Sequence, residues 1–195
     1  MKLKKLSKIL LLSSILSLGI GCAKTEKANV EKDKLKVSLI LDEGGVNDAS
    51  FNESAWSGAL AAKEKYGVEV HYIEAKQESD YASNIESARD QEADLIIGVG
   101  FKLANTIEEA AKLYPEQKFA AIDCAYENIP NNVQPILFNE EEAGYAAGLV
   151  AANMTKTNKI GFVGGMDIPS VTNFLIGFEK AIKEENKDIE VLSQY

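Results

Sequence analysis

Short apolar runs alternate along the chain with longer segments whose apolar residues recur at helical spacing. The runs predict strands at residues 36–41, 68–74, 94–100, 118–123, 136–139, 158–165 and 189–195. The segments between them predict helices at residues 50–67, 81–92, 102–115, 140–155 and 170–186. The runs are continuously apolar, which is typical of strands buried on both faces of a parallel sheet. The pattern therefore predicts an α/β fold with a doubly wound parallel sheet.

The ends of the predicted strands gather the unusual polar and glycine-rich stretches of the chain. Ligands of a doubly wound sheet bind in the crevice outside the carboxyl ends of its strands. The stretches at these ends are DEGGVNDASFN (42–52), GVGF (98–101), IDCAYE (122–127) and GGMDIPSVTNF (164–174). We therefore expect these four stretches to form one site.

The stretch at 42–52 does not have the residues of a phosphate loop or of a catalytic centre. The chain contains no G-x-x-x-x-G-K-[ST] motif, and in GVGFKL Leu103 stands where the dinucleotide fingerprint needs glycine. Asp42, Glu43 and Asp48 lie close in sequence, but the chain has only one histidine, His71, and no Cys/His cluster. These residues favour a binding crevice, in which Glu43 is expected to play a structural part.

The start of the helix after this stretch leaves two interpretations of Asp48 open. Asp48 or Ser50 is a natural N-cap, because its side-chain oxygen can accept the free backbone N–H groups of the first turn. Asp48 is therefore either a helix cap or a ligand contact.

Phe51 begins the same helix, either as a core aromatic or as a ring offered to the crevice. The core stripe of the helix is expected to consist of Trp56, Leu60 and Tyr66. Since that stripe is supplied without Phe51, we expect this ring to lie at the crevice.

Phe174 occupies a similar early position in the helix at 170–186, although it can instead pack on Phe178 one turn later. Two aromatic rings from opposite sides of a crevice can sandwich a flat apolar ring, while acids and asparagines bind its polar groups. Asp123 ends a predicted strand, and its carboxylate can accept the two hydrogen bonds that a vicinal diol donates.

Residues 1–21 have the layout of a secretory signal peptide. MKLKKLSK carries four lysines and no acid, and the apolar stretch that follows it ends in small residues before Cys22. We expect a bacterial lipoprotein signal with Cys22 acylated as the mature N-terminus, although Gly19 stands where such signals usually have leucine. The alternatives are an ordinary cleaved signal and a transmembrane helix. The polar segment 22–34 is expected to be a flexible tether.

The charge of the chain argues against nucleic acid as a partner. The net charge is −9, and removal of residues 1–21 with their four lysines makes it −13. An acidic surface repels phosphate backbones, so membrane attachment is expected through the lipid and not through a basic patch. Besides Cys22 the only cysteine is Cys124, which ends an apolar run and is expected to be a small buried hydrophobe.

The helix at 140–155 presents glycines and alanines that allow another backbone to approach closely, and NKIGFVGG after it opens a second α/β unit. We expect an N-terminal lobe at 35–150 and the start of a C-terminal lobe at 151–195. About 40 residues cannot bury a parallel-sheet core alone, so we expect a complete first lobe and a truncated second lobe.

Several of these stretches together identify a family resemblance. DEGGVNDASFNESAWSGA resembles the opening of the basic membrane protein family, which includes the purine nucleoside receptor lipoproteins of bacterial ABC transporters. GVGF, FAAIDCAY, EEEAGYAAGLVAA and KIGFVGGMDIPSVTNFLIGFEKA resemble its next landmarks, in order, over residues 35–195. The resemblance implies a two-lobed periplasmic-binding-protein fold of type I that closes on a nucleoside and delivers it to a permease.

The resemblance also implies a set of ligand contacts and no cofactor. Phe51 and Phe174 would stack on the purine, and Asp123 would accept hydrogen bonds from the ribose hydroxyls. The remaining implied contacts are Asn47 and Asp48 at the polar edges of the nucleoside, Asp42 in support of them, and Phe101 and Met166 as crevice walls. The family's other contacts in the second lobe lie beyond Tyr195, so binding by these 195 residues alone is expected to be weak.

The signal peptide and the crevice predict a solute-binding protein that is lipid-anchored on the extracytoplasmic face of the cell membrane, and the resemblance implies that it serves an ABC transporter permease. A surface lipoprotein with an adhesive or antigenic role is the first alternative. A nucleoside-hydrolysing enzyme is the second, with Asp42 and Asp48 as its only candidate acids.

Overall fold

The computed structural model describes residues 34–195, so the predicted signal peptide, Cys22 and nearly all of the tether lie outside the described residues. The strands are β1 (Lys36–Leu41), β2 (Glu69–Glu74), β3 (Leu95–Val99), β4 (Lys118–Ile122), β5 (Val133–Ile136), β6 (Lys159–Val163) and β7 (Glu190–Gln194). The helices are α1 (Phe51–Tyr66), α2 (Tyr81–Asp90), α3 (Ala104–Leu113), α4 (Glu140–Met154) and α5 (Pro169–Glu185). The order of elements is the predicted one.

The first five strands form one parallel sheet in the order β2-β1-β3-β4-β5. One face packs against α2 and α3 through a core that includes Ile85 and Ile107. The other face packs against α1 through Trp56 and Ala59. Helices on both faces make the sheet doubly wound, as predicted. The strand order reverses between β1 and β3, and the carboxyl ends of these strands therefore border a crevice.

The fifth strand lies three residues earlier than the prediction at 136–139. Pro135 pairs with Ala121 of β4, and because β5 is an edge strand, its missing N–H removes no hydrogen bond inside the sheet. Only Val133 of β5 is buried, whereas Leu137 and Phe138 are 57% and 55% exposed beyond the strand. The apolar run that suggested a buried strand is thus the segment that leaves the sheet.

A second, two-stranded parallel sheet joins β6 and β7. It packs with α4 and α5 around a small core of Phe178, Ile182 and Ile189. The predicted close approach of the 140–155 helix is confirmed, because a Cβ on Gly144 would lie 2.1 Å from the Phe174 carbonyl oxygen.

Candidate functional site

A cavity of about 770 Å³ opens at the carboxyl edge of the first sheet. Its walls come from the ends of β1, β3 and β4, the first turn of α1, and the starts of α4 and α5. Six of the predicted site residues line it: Asp42, Asp48, Phe51, Phe101, Asp123 and Phe174. The crevice expected from the strand ends is therefore present.

Two predicted site residues lie outside this lining. Asn47 is exposed in the turn before α1, and Met166 is 50% exposed in the loop after β6. Side-chain direction in a loop follows no period of 2 or 3.6, so the residues that face the cavity cannot be chosen from the pattern among loop neighbours. The ligand contacts assigned to all eight residues remain predictions.

Asp48 holds the start of α1. Its Oδ1 accepts the backbone N–H groups of Ser50 at 2.8 Å and Glu53 at 3.0 Å, and its Oδ2 accepts that of Asn52 at 3.1 Å. Burial acts to raise the pKa of this carboxyl, but the backbone donors outweigh burial and the pKa is lowered. The capping interpretation of Asp48 is confirmed, whereas the Ser50 side chain makes no capping hydrogen bond.

Asp42 is fixed by a buried asparagine that the sequence did not single out. Asn52 is 1% exposed, and its Nδ2 donates to Asp42 Oδ1 at 2.7 Å. The same Oδ1 accepts the N–H of Gly44 at 3.0 Å. These bonds engage one carboxylate oxygen of Asp42, on the wall of the cavity.

Glu43 ties the loop after β1 to two neighbouring elements. Its carboxylate accepts the Tyr81 hydroxyl at 3.0 Å and pairs with Lys102 Nζ at 2.9 Å. The hydrogen bond from Lys102 is the main cause that lowers the pKa of Glu43. Glu43 is therefore structural, as expected, and the charge of Lys102 in the cavity lining is matched.

Asp123 stands where β4 ends, with φ at +60°. Its backbone N–H donates to the carbonyl of Ile136 at 2.8 Å, which holds this left-handed turn beside the edge strand. Burial and then the charge of Glu140 raise the pKa of the Asp123 carboxyl, while the Ser170 hydroxyl acts to lower it. Among the described residues, the Ser170 hydroxyl is therefore the group that favours the ionised form of Asp123.

The next residue, Cys124, is the buried small hydrophobe that the sequence predicts. It is 1% exposed, and its Sγ donates weakly to the carbonyls of Gly100 and Ile122 at 3.4 Å. Burial is the main cause that raises the pKa of this thiol to about 11.

Aromatic rings form much of the cavity wall. Phe51, Phe101 and Phe174 are 45%, 37% and 40% exposed, so each ring keeps area that a ligand can cover. The alternative partner of Phe174 is engaged elsewhere, because the Phe178 ring lies 5.7 Å from that of Phe162, centroid to centroid.

Sequence reasoning missed several residues of the lining. The polar ones are Asn52, Ser54, Lys102, Glu140 and Ser170, and the aromatic one is Phe138. The apolar pattern predicts a strand at Phe138, and Glu140 is the first of three consecutive glutamates with no local sign that one is buried. The pairing of Asn52 with Asp42 spans ten residues and depends on the loop between them.

Residues 34–195 contain no group of three His, Cys, Asp or Glu side chains arranged to hold a metal ion. No helix in the same range is both long and apolar enough to cross a membrane.

Comparison with known proteins places this geometry in a family. The Bmp family model, described as ABC transporter substrate-binding protein PnrA-like, matches residues 34–195. A relative from Lactococcus lactis, named ABC transporter nucleoside-binding protein BmpA, is 40% identical over 84% of this chain and 48% of its own length. A relative from Listeria innocua, named CD4+ T-cell-stimulating antigen, is 34% identical over 99% of this chain and 57% of its own length.

A solved solute-binding protein of an ABC transporter system from Aeropyrum pernix superposes with a TM-score of 0.73. It is 37% identical, and the match covers 83% of this chain and 47% of that one. The chain spans about half the length of the curated relatives it matches. The fold is the periplasmic-binding-protein α/β fold that the sequence predicts. The chain belongs to the Bmp family of PnrA-like ABC transporter substrate-binding proteins.

Proposed function

We propose that the protein is a non-catalytic, lipid-anchored solute-binding protein that captures a purine nucleoside in the cavity and delivers it to an ABC transporter permease. Acylated Cys22 holds it on the extracytoplasmic face of the cell membrane in this proposal. The name of the Lactococcus lactis relative supports the choice of a nucleoside.

The observation that carries the proposal is the combination of Phe51, Phe174 and Asp123 on one cavity. Small-molecule sites have volumes of roughly 300–1,000 Å³ and combine apolar walls with a few polar groups. The two rings come from different helices, and both keep exposed area for a flat base. The Asp123 carboxylate supplies acceptors for hydroxyl groups.

The hydrogen bonds of Asp42 and Asp48, the candidate acids of a hydrolase, support binding in preference to catalysis by these two residues. Asp48 has its oxygens occupied by backbone donors, and one oxygen of Asp42 is held by Asn52 and Gly44. A hydrolase needs an available base or a metal to activate water. The acids that the alternative enzyme would use are therefore employed in building the crevice.

Isothermal titration with inosine, guanosine and adenosine tests the proposal on the protein at its natural length. Stacking of a base on an aromatic ring contributes about 1–3 kcal/mol. We therefore expect Phe51→Ala and Phe174→Ala each to lower the affinity for the tightest-binding nucleoside roughly tenfold or more.

Tyr66→Ala is the matched control, because Tyr66 is a 69% exposed aromatic at the far end of α1 and lies outside the cavity lining. It is expected to leave the affinity unchanged. If none of the three nucleosides gives binding heat with the wild-type protein, the proposal that the ligand is a nucleoside is wrong.

A surface lipoprotein with an antigenic or adhesive role and a vestigial ligand site is the second candidate, and the name of the Listeria innocua relative favours its antigenic part. Phe51→Ala and Asp123→Asn separate the two candidates. Adhesion to host cells that survives both changes, in a protein that binds no nucleoside, would support the second.

A further inference from the structure

Lys102 brings a positive charge to the wall of the cavity. It lies in the short 3₁₀ turn between β3 and α3, and it is part of the cavity lining. An ammonium group attracts phosphate and carboxylate groups, with which it forms charge-assisted hydrogen bonds. An unpaired lysine at this position would therefore favour ligands that carry a negative charge.

The ammonium group of Lys102 is paired with the carboxylate of Glu43. Lys102 Nζ donates a hydrogen bond to Glu43 Oε2 at 2.9 Å, across 59 residues of sequence. The pKa of Lys102 is raised and the pKa of Glu43 is lowered, and in both cases the hydrogen bond between them is the largest cause. Both groups therefore stay charged at neutral pH, and together they carry no net charge.

A buried tyrosine restrains Glu43 beside this lysine. Tyr81 is 2% exposed and belongs to the core that packs against α2 and α3. Its hydroxyl donates to Glu43 Oε1 at 3.0 Å, which leaves Oε2 for Lys102. An exposed ion pair usually contributes little, because two long side chains must give up their freedom to form it. Glu43 is already restrained by Tyr81, so less freedom is lost when it pairs with Lys102.

The pair lies where it can act on a ligand. Glu43 follows β1 and Lys102 follows β3, and these neighbouring strands are the ones between which the strand order reverses. Ligands of such sheets bind outside the carboxyl ends of the strands at this point. The charge state of the pair therefore contributes to the electrostatic potential that a ligand meets in the cavity.

We propose that Glu43 sets the charge selectivity of the cavity: by pairing with Lys102 it withholds the ammonium group from ligands, so that the cavity binds a neutral nucleoside in preference to its phosphorylated form. This proposal rests on the proposed function and names a specificity-determining residue for it. With the charge of Lys102 matched, the carboxylates of Asp42 and Asp123 in the lining are left to act on a charged ligand. They repel a phosphate and accept hydrogen bonds from neutral donors.

The test compares inosine with inosine 5′-monophosphate and inosine 3′-monophosphate, which carry the charge at different points, by isothermal titration of the protein at its natural length. The wild type is expected to bind inosine at least about tenfold more tightly than either monophosphate. Glu43→Gln keeps an oxygen that can accept the Tyr81 hydroxyl but removes the charge that pairs with Lys102. The freed ammonium group can then bind a phosphate, so this preference is expected to fall about tenfold or more for at least one monophosphate.

The ratio of the two affinities is a readout that a merely structural role of Glu43 would not move. A variant whose loop after β1 is only loosened binds all three ligands more weakly and keeps the ratio. Glu141→Gln removes one negative charge from an exposed side chain outside the lining and is expected to leave the ratio unchanged. Adding Lys102→Gln to Glu43→Gln removes the freed ammonium group and is expected to abolish the gain for the monophosphate. Raising the salt from about 50 to 500 mM should also shrink that gain.

The outcomes separate this proposal from the proposed function. If the wild type binds inosine and Glu43→Gln shows the same ratios as Glu141→Gln, charge selection by Glu43 is overturned and nucleoside binding stands. A gain for a monophosphate that persists in the double variant also overturns it, because Lys102 is then not the cause. If the wild type binds no nucleoside, both proposals are overturned. If Glu43→Gln does not fold, the wild-type comparison decides, because equal affinities for inosine and its monophosphates overturn the selectivity.

Discussion

Among single residues, Asp48 shows how the loop after β1 is built before any ligand arrives. The backbone N–H groups of Asn52 and Glu53, in the first turn of α1, and of Ser50 just before it converge on its carboxylate. An uncapped helix start would leave those donors unsatisfied. Asp48 therefore fixes where α1 begins, and with it the position of Phe51 on the cavity wall.

Asp48→Ala is expected to lower the free energy of unfolding by about 0.5–2 kcal/mol, the range of helix-cap losses. The folded-state pKa of Asp48 is lowered, so its contribution is present above the ordinary carboxyl pKa and is lost as the pH falls through the folded value. Urea unfolding of wild type and variant at neutral and acidic pH measures both effects.

Asp188→Ala is the control for Asp48→Ala, because Asp188 is an exposed aspartate outside the cavity lining. It is expected to change stability little at any pH. A stability difference between Asp48→Ala and wild type that stays constant into strong acid would contradict the capping role.

The residues that sequence reasoning located are those that directly follow strands. Asp42 and Asp123 each stand one position past a buried strand, where the topology alone carries them to the crevice. Glu140 could not be found this way, since its burial depends on how α5 approaches α4 and nothing in the local pattern distinguishes it from Glu141. A contact between two elements depends on how they pack together, and the sequence of either element alone does not determine that packing.

At the scale of elements, the contact between α4 and α5 decides the shape of one side of the cavity. These helices contribute Glu140, Ser170 and Phe174 to the lining. Their backbones touch through glycines, and a Cβ on Gly177 would lie 2.0 Å from the carbonyl oxygen of Glu141. The position of the first turn of α4 therefore requires a residue without a side chain at this point of α5.

Gly177→Ala is expected to lower the free energy of unfolding by about 1–3 kcal/mol, because a methyl group overpacks this contact. Inosine affinity should fall with it, since the helices that carry Glu140 and Phe174 must move apart. Gly58→Ala is the matched control: Gly58 also lies inside a helix, but no atom is within 4 Å of its would-be Cβ.

For Gly58→Ala we expect the free energy of unfolding to rise by about 0.5–1 kcal/mol, because alanine has the higher helix propensity, and the affinity for inosine to stay unchanged. Thermal unfolding and titration of both variants give the comparison. Equal behaviour of the two alanines would show that the close contact does not control the site.

Hydrophobic patterning predicted the elements well and their burial less well. Of the expected core stripe of α1, Trp56 packs on the sheet, but Leu60 and Tyr66 are 43% and 69% exposed, so that part of the prediction was wrong. The partly buried Ala55 and Ala59 pack on the core beside Trp56 instead. Small side chains bring α1 close to the sheet, and a count of large apolar residues overlooks them.

At the scale of the whole molecule, α4 belongs by its packing with the second group of elements. Its Ala151 and Ala152 join the core formed by α5 and β7. We therefore propose that the lobe boundary lies before Glu140 and not at residue 150. In that arrangement Phe51 on α1 and Phe174 on α5 belong to different lobes, and a ligand that contacts both rings links them.

Attachment to the membrane is the other whole-molecule property, and it distinguishes the two cysteines. Cys22 lies outside the described residues, and we predict that its thiol carries the lipid. Cys124 is buried with a pKa of about 11, so its thiol stays protonated and unreactive at neutral pH. We therefore expect metabolic labelling with an alkyne fatty acid to be lost in Cys22→Ser and retained in Cys124→Ser. Label that persists in Cys22→Ser, or disappears in Cys124→Ser, would contradict acylation at Cys22 whichever membrane fraction holds the protein.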